Sequence, residues 1–395
     1  MLVATWFYAF LIALAIVPLL AWAVLDVLRL RRRRRGLPVI SNARAMLLRG
    51  WAIVTCLLLG VLATAVGLNR QYQYIPSFAA LSGDVSPDLV SAPPTVQAPR
   101  GATGGAATHV GNDANVVAAT GTSKMTHGAV QKVEVAGSLS GIPARDTYVY
   151  LPPQYFDPAN AHARFPVLYL LHGSPGISVD WLRGGHLDVT MDDLLQEHRI
   201  QPFIVVMPDV NGGYSRDTEC QDIPGGPQVQ TYLTYDVPRY IDRWFRTLGD
   251  RNARVIGGLS SGGYCALNLA LRHQDVFSAA VSHSGYLAPA RNGYTGNLFR
   301  NKAALYANAP SAYLATIPIQ QPFGVYLDAG STDTASVYQS KLAYRILLER
   351  HVPVTLRIHN DEGHNFSAWS RNLHSSLPWV SRWFVLNHVS VTTPA

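Results

Sequence analysis

The sequence predicts an α/β fold, a mostly parallel sheet with helices on both faces, preceded by a two-helix transmembrane hairpin and a flexible linker. Three observations carry this. From Val130 onward, short runs that are apolar on both sides alternate with amphipathic stretches, the pattern of a parallel sheet covered on both faces. Two uncharged apolar runs, residues 6–25 and 50–68, are each long enough to cross a bilayer as a helix. Between these regions lies a stretch of Ala, Gly, Ser, Thr, Pro and Val with scarcely any charge or aromatic residue and no period of either kind, the composition of a tether.

The hairpin comes first, as residues 1–70. The segment LRLRRRRRG joins its apolar runs, with Arg44 and Arg49 close to the second. Arginine in short loops stays cytoplasmic, so the connector is expected inside and the chain after Arg70 outside the cell membrane. A cleaved signal peptide fits less well, because no basic region precedes the first run. Residues 1–70 hold nine arginines against Asp26 alone, and removing that +8 from the chain's +7 leaves −1 for residues 71–395. The basicity therefore belongs to the hairpin, and a nucleic-acid-binding surface is not expected. The linker follows as residues 71–129. Cys56 lies in the second apolar run, and Cys220 and Cys265 fall in the exported part. There a disulfide or two separate thiols are both open readings.

Residues 130–395 form the main domain. Strands are expected at 147–151, 165–171, 203–207, 254–257, 277–282, 323–327 and 354–358. Helices are expected at 189–198, 235–248, 262–273, 336–350 and 373–387, with Tyr240, Ile241, Trp244, Phe245 and Leu248 forming one apolar face. Such sheets carry their sites at the carboxyl ends of the strands.

At one strand-to-helix junction stands VIGGLSSGGYC, in which Gly258-Leu-Ser260-Ser-Gly262 fits G-x-S-x-G. A match centred on Ser261 fails at Leu259. A nucleophilic serine must project from a tight turn, where flanking side chains would strike the strand and helix. The following helix directs its amino-terminal dipole at the developing oxyanion. Ser260 needs a base, and the base an orienting acid. In α/β-hydrolase order both come later, acid first. FGVYLDAGSTD offers Asp328 and Asp333, and Asp333, beyond the strand end, is preferred. VTLRIHNDEGHNFSAW offers His359 within or at the end of a strand and His364 in the loop, and His364 is preferred. The oxyanion donors expected are the backbone N–H groups of Ser261 and of Ser174 in HGSPG. Trp181, Asn211 and Tyr214, together with Asp209, are candidates for contact with substrate. No histidine cluster has metal-ligand spacing, and the chemistry requires no cofactor.

The segments FPVLYLLHGSPG, VDWLRGGHLDVTMDDLLQEHRIQPFIVVMPDVNG, RVIGGLSSGGYCALNLALRHQDVFSAAVSHSG, DAGSTD and DEGHNFSAW resemble the esterase D family of α/β-hydrolases. That family includes S-formylglutathione hydrolases, feruloyl esterases and the antigen 85 mycolyltransferases. The resemblance covers roughly residues 130–390, in order and at the expected spacing. It implies Ser260 as nucleophile, His364 as base, Asp333 as acid, and Ser174 and Ser261 as oxyanion donors. Two departures stand out. Ser261 occupies a position where the family often has Met, which leaves backbone donation intact. The hairpin and tether, absent from soluble members, look like the membrane-anchored actinobacterial type. The expectation is a serine esterase outside the membrane, acting on a small-molecule, lipid or cell-envelope ester. An envelope acyltransferase of mycolyltransferase type, or a non-catalytic envelope-binding protein on the same scaffold, stands as an alternative.

Overall fold

A computed structural model describes residues 5–39, 41–72, 126–213, 216–290 and 298–391. The linker, apart from residues 71–72 at its start and 126–129 at its end, lies outside the described residues, as does Tyr214. The chain divides into two units, Met1–Val85 and Ser86–Ala395.

In the first unit, helix α1 (Thr5–Arg34) and helix α2 (Asn42–Tyr72) both outrun the apolar segments that predict them. The basic residues Arg31–Arg34 continue α1 through its last turn, where the carboxyl end of the helix dipole favours positive charge. Within Phe7–Arg34 and Asn42–Asn69, stretches of 18 residues reach mean hydropathies of 2.5 and 2.3, and both helices are long and apolar enough to cross a membrane. Leu11, Ala63 and Val66 bury against one another and against Phe7 and Tyr8. Near the Arg-rich end, Asp26 accepts hydrogen bonds from Arg49 at 2.6 Å and from the Trp22 indole at 2.9 Å.

The second unit is built on one eight-stranded sheet in the order β1-β2-β4-β3-β5-β6-β7-β8. Its strands are β1 (Ala129–Val135), β2 (Arg145–Leu151), β3 (Val167–Leu171), β4 (Ile204–Pro208), β5 (Arg254–Leu259), β6 (Ala279–His283), β7 (Gly324–Gly330) and β8 (Val354–His359). Strands β3 to β8 run parallel, while β2 is antiparallel to both β1 and β4. The β1–β2 turn therefore lies at the same end of the sheet as the carboxyl ends of the parallel strands.

Strands β3 and β4 are buried along their whole length, as their unbroken apolar sequence requires. Their alternate residues feed two layers. Val167, Tyr169, Leu171, Ile204 and Val206 join one core with helix α5 (Ser261–Arg272) and helix α6 (Thr334–Glu349). On the other face helix α7 (Phe366–Leu386) covers β6 and β7 and packs on helix α3 (Leu187–Gln196). There Trp379 lies 5.7 Å from Tyr326, and the Trp383 indole donates to Ser278 Oγ at 3.0 Å.

Three elements depart from expectation. β1 is an additional antiparallel edge strand, paired with β2 from Ala129↔Leu151 to Val135↔Arg145. The helix expected at 235–248 closes as helix α4 (Val237–Trp244). Phe245 is extended because the following residues turn back to Phe165, which donates to the Arg246 carbonyl at 2.9 Å and accepts from Leu248 N–H at 2.9 Å. Helix α7 begins seven residues earlier than expected, at Phe366, where Asn365 caps it by accepting from Ala368 N–H at 3.0 Å.

Candidate active site

Ser260 stands between β5 and α5 with φ 53° and ψ −119°, a conformation that costs a non-glycine residue energy and is retained only where surrounding structure enforces it. Its flanking glycines explain the turn. A Cβ on Gly258 would stand 2.4 Å from the Gly262 backbone, and one on Gly262 would stand 2.4 Å from the His172 carbonyl oxygen. Glycine at both positions lets strand, helix and the end of β3 meet around the serine. The Ser260 N–H donates to the His283 carbonyl at 2.8 Å, which ties the turn to the end of β6.

The side chains reach one another in a line. Ser260 Oγ lies 2.9 Å from His364 Nε2, and His364 Nδ1 lies 2.7 Å from Asp333 Oδ2. Two loops are fastened together to bring this about. Thr332 donates to the Glu362 carbonyl from its N–H at 2.9 Å and from its hydroxyl at 2.7 Å. Asp361 N–H donates to Ser331 Oγ at 3.0 Å. The loop after β7 and the loop after β8 are thus joined by these three hydrogen bonds. The His364 ring packs edge-on against Trp369, 5.0 Å between centroids, and the Trp369 indole donates to Ser284 Oγ at 3.2 Å. Burial raises the Asp333 pKa, but the hydrogen bond and charge of His364 and the bonds from Ser336 outweigh it, so Asp333 is held below the usual carboxylate range.

The loop after β3 closes over the serine. A Cβ on Gly173 would lie 3.3 Å from Ser260 Cβ, which places the HGSPG segment directly against the turn. Among the described residues, neither the Ser174 nor the Ser261 N–H donates to an acceptor. His172 anchors this loop: its Nδ1 lies 2.7 Å from the Gly173 carbonyl, and its Nε2 accepts from Val210 N–H at 2.9 Å. Nε2 also lies 3.3 Å from Asp209 Oδ1; burial lowers the pKa of the ring, but the hydrogen bond and charge of Asp209 outweigh it and raise the pKa above its ordinary value.

The remaining candidates fall elsewhere. Trp181 is fully buried, its indole donating to the Leu171 carbonyl at 2.9 Å. It supports the loop from beneath and does not wall a pocket. Asn211 is 2% exposed and accepts from both Thr218 N–H and Thr218 Oγ1 at 3.1 Å, so its side chain is consumed in folding the loop after β4. Asp209 accepts from the N–H groups of Asn211 and Gly212 at 3.0 and 2.9 Å. Asp328, the alternative acid, is sealed within the sheet 2.8 Å from His283 Nδ1, and His359 is 3.8 Å from it. Cys220 and Cys265 form a disulfide that pins the loop after β4 to α5.

Residues that sequence reasoning missed lie around these groups. His283 holds Ser260 through a main-chain carbonyl, a contact no side-chain motif advertises. Asp217 and Glu219 are buried behind the serine loop, Asp217 beside the Ser174 hydroxyl. Glu219 accepts from Tyr286 Oη at 2.7 Å and Ala290 N–H at 2.9 Å. Burial, and then the neighbouring Asp217 charge, push its carboxyl up to about 9.

Residues 144–381 match a family model described as putative esterase. An uncharacterized protein of Corynebacterium glutamicum is 31% identical over 269 residues, which cover 65% of this chain and 62% of that protein. An endo-1,4-beta-xylanase/feruloyl esterase of Xylanibacter ruminicola is 31% identical over 156 residues, 39% of this chain and 21% of that protein. The chain therefore spans less than two thirds of either curated relative. Among solved structures, a ferulic acid esterase superposes with a TM-score of 0.57 at 26% identity, covering 66% of this chain and 99% of that one.

Proposed function

The chain belongs to this esterase family, and from that premise we propose that it is a membrane-anchored serine esterase whose catalytic domain, residues 130–395, works outside the cytoplasmic membrane. The single observation that carries the reading is the unbroken line from Ser260 Oγ through His364 to Asp333. Ser260 attacks the ester carbonyl as its proton passes to His364 Nε2. Asp333 accepts from Nδ1–H, holding the tautomer in which Nε2 is free and stabilising the imidazolium that forms. The N–H groups of Ser261 and Ser174 receive the oxyanion, and loss of one such donor costs about 10²–10³ in rate. His364 then protonates the departing alcohol, leaving an acyl group on Ser260. Water, deprotonated by His364, attacks that acyl-enzyme and releases the acid.

The location is supported by the two apolar helices, the arginine cluster between them and the Cys220–Cys265 bond. Short arginine-rich loops stay cytoplasmic and disulfides persist in oxidising compartments. In this reading residues 1–70 anchor the protein and 71–129 tether the enzyme to an ester of the envelope or its lipids. The test is turnover of p-nitrophenyl butyrate by the full chain and by Ser260→Ala. The substitution is expected to abolish turnover with the fold intact, and turnover retained by Ser260→Ala would refute the reading.

A further inference from the structure

Beside the serine loop lies a cavity of about 660 Å³ whose walls include Arg145, Tyr148, Ile177–Val179, Asp209, Gly212 and Arg216. None of the groups assigned above to bond cleavage lines it. Its position follows from topology. Arg145 opens β2, which runs antiparallel to β4, and its guanidinium donates to the Val210 carbonyl at 2.8 Å and the Asp209 carbonyl at 3.4 Å. The charged end of Arg145 thus stands over the carboxyl end of β4. Two strand spacings separate that end from Ser260 in the order β4-β3-β5, about 10 Å. Ile177–Val179 continue directly from the HGSPG loop, so the cavity and the serine share one wall.

The charges are unbalanced in a particular way. Both Arg145 bonds come from Nη1 and end on main-chain carbonyls. Its guanidinium also faces the Tyr232 ring at 5.7 Å. Arg216 is exposed at the rim. Among the described residues, neither arginine has a carboxylate within ion-pair distance. The lining acids are engaged elsewhere: Asp146 pairs with Lys132 at 2.9 Å, and Asp209 Oδ1 accepts two main-chain N–H groups. Burial lowers the Arg145 pKa, Asp209 opposes that, and Arg216 is near enough to lower it further. Arg145 and Arg216 thus line one cavity, neither paired among the described residues with a carboxylate within ion-pair distance, which leaves both free to meet an external anion. Arginine forks bind phosphate oxygens with directed, charge-assisted hydrogen bonds, and Tyr148 lines the same cavity.

We propose that this cavity is a subsite for a phosphate group carried on the alcohol side of the ester, so that the enzyme prefers phosphate-bearing esters to neutral ones. The inference rests on the esterase reading and narrows its substrate class. The spacing suits an acyl ester of glycerol phosphate, with the carbonyl at Ser260 and the phosphate between Arg145 and Arg216.

The experiment compares two butyrate esters, of glycerol and of glycerol 3-phosphate, with the full chain in detergent, its Arg216→Gln form, and calorimetry of glycerol 3-phosphate and inorganic phosphate on the Ser260→Ala protein. Arg216 is exposed, so its substitution leaves packing alone. A preference of about tenfold or more in kcat/KM for the phosphate ester is expected, the scale of one charge-assisted contact, and Arg216→Gln should bring the ratio close to one. Glycerol 3-phosphate should bind more tightly than inorganic phosphate, and less tightly once Arg216 is also replaced. Equal turnover of both esters by the unaltered protein overturns the subsite while leaving the esterase intact. So does a ratio untouched by Arg216→Gln, or glycerol 3-phosphate binding no better than inorganic phosphate. If neither ester is hydrolysed, the esterase reading fails, and Arg216-dependent binding of glycerol 3-phosphate would still uphold the anion site.

Discussion

Two histidine–carboxylate pairs flank Ser260, and they share almost the same geometry. His364 meets Asp333 at 2.7 Å, and His283 meets Asp328 at 2.8 Å. The first pair keeps 37% of the imidazole exposed and turns the second nitrogen onto Ser260 Oγ. The second pair is sealed at 1% and 0%, and His283 Nε2 has no partner among the described residues. His283 touches Ser260 only through its main-chain carbonyl. A carboxylate beside a histidine is therefore no mark of acid–base work. What distinguishes the pairs is where the other nitrogen points and whether substrate reaches it.

Breaking the exposed pair is expected to have the largest effect on rate. Asp333→Asn should lower kcat for p-nitrophenyl butyrate by about 10⁴, because the amide favours the wrong tautomer of His364. Its melting temperature should stay near that of the unaltered protein, since Asn also caps α6. A loss of less than tenfold would remove Asp333 from the proposed chemistry.

The sealed pair should reverse this pattern. Asp328→Asn leaves a buried group without its ionic partner, a change that costs about 3–5 kcal/mol of stability. Turnover per folded molecule should stay within about an order of magnitude, as for a positioning group. Burial raises the Asp328 pKa, but the His283 charge and hydrogen bond lower it below the usual value of 3.8. The stabilisation is therefore complete above that value and is lost as pH falls through the depressed one. The stability gap between Asp328→Asn and the unaltered protein, read from urea unfolding, should be widest at neutral pH and narrow in acid. A gap independent of pH would place the stabilisation elsewhere.

Smaller effects test the supports behind the serine. The Cys220–Cys265 bond closes a loop across 45 residues, and replacing both cysteines with serine should cost about 2–4 kcal/mol in urea unfolding. Glu219 is tested by the pH dependence of stability. Its carboxyl is raised from 4.5 to about 9, so folding holds a proton that the unfolded chain releases, and stability falls as pH rises between those values. Glu219→Gln should flatten that slope in thermal melts, and an unchanged slope would assign it to another group.

The same contrast shows what a linear sequence conveys. Ser260, Asp333 and His364 were legible because each follows a strand, in a fixed order, with glycines where a side chain would collide. The sheet was legible for the same reason, since buried strands such as β3 and β4 are apolar throughout. β1 was not, because Gln131, Lys132 and Glu134 interrupt its apolar pattern. The end of α4 was set by pairing with Phe165, 80 residues away in the chain as measured from Phe245, which no local signal encodes. Sequence leaves Trp181 and Asn211 open between substrate contact and a packing or turn role, because residue type does not reveal on which side of a loop a side chain falls. His283 was silent because it acts through a carbonyl and through a partner 45 residues distant.

The most direct measurement is mass spectrometry of the full chain after reaction with a fluorophosphonate. One adduct is expected, on Ser260, formed at a rate that collapses in His364→Ala. An adduct on Ser261, or labelling of Ser260 undiminished by loss of the imidazole, would contradict the proposed chemistry.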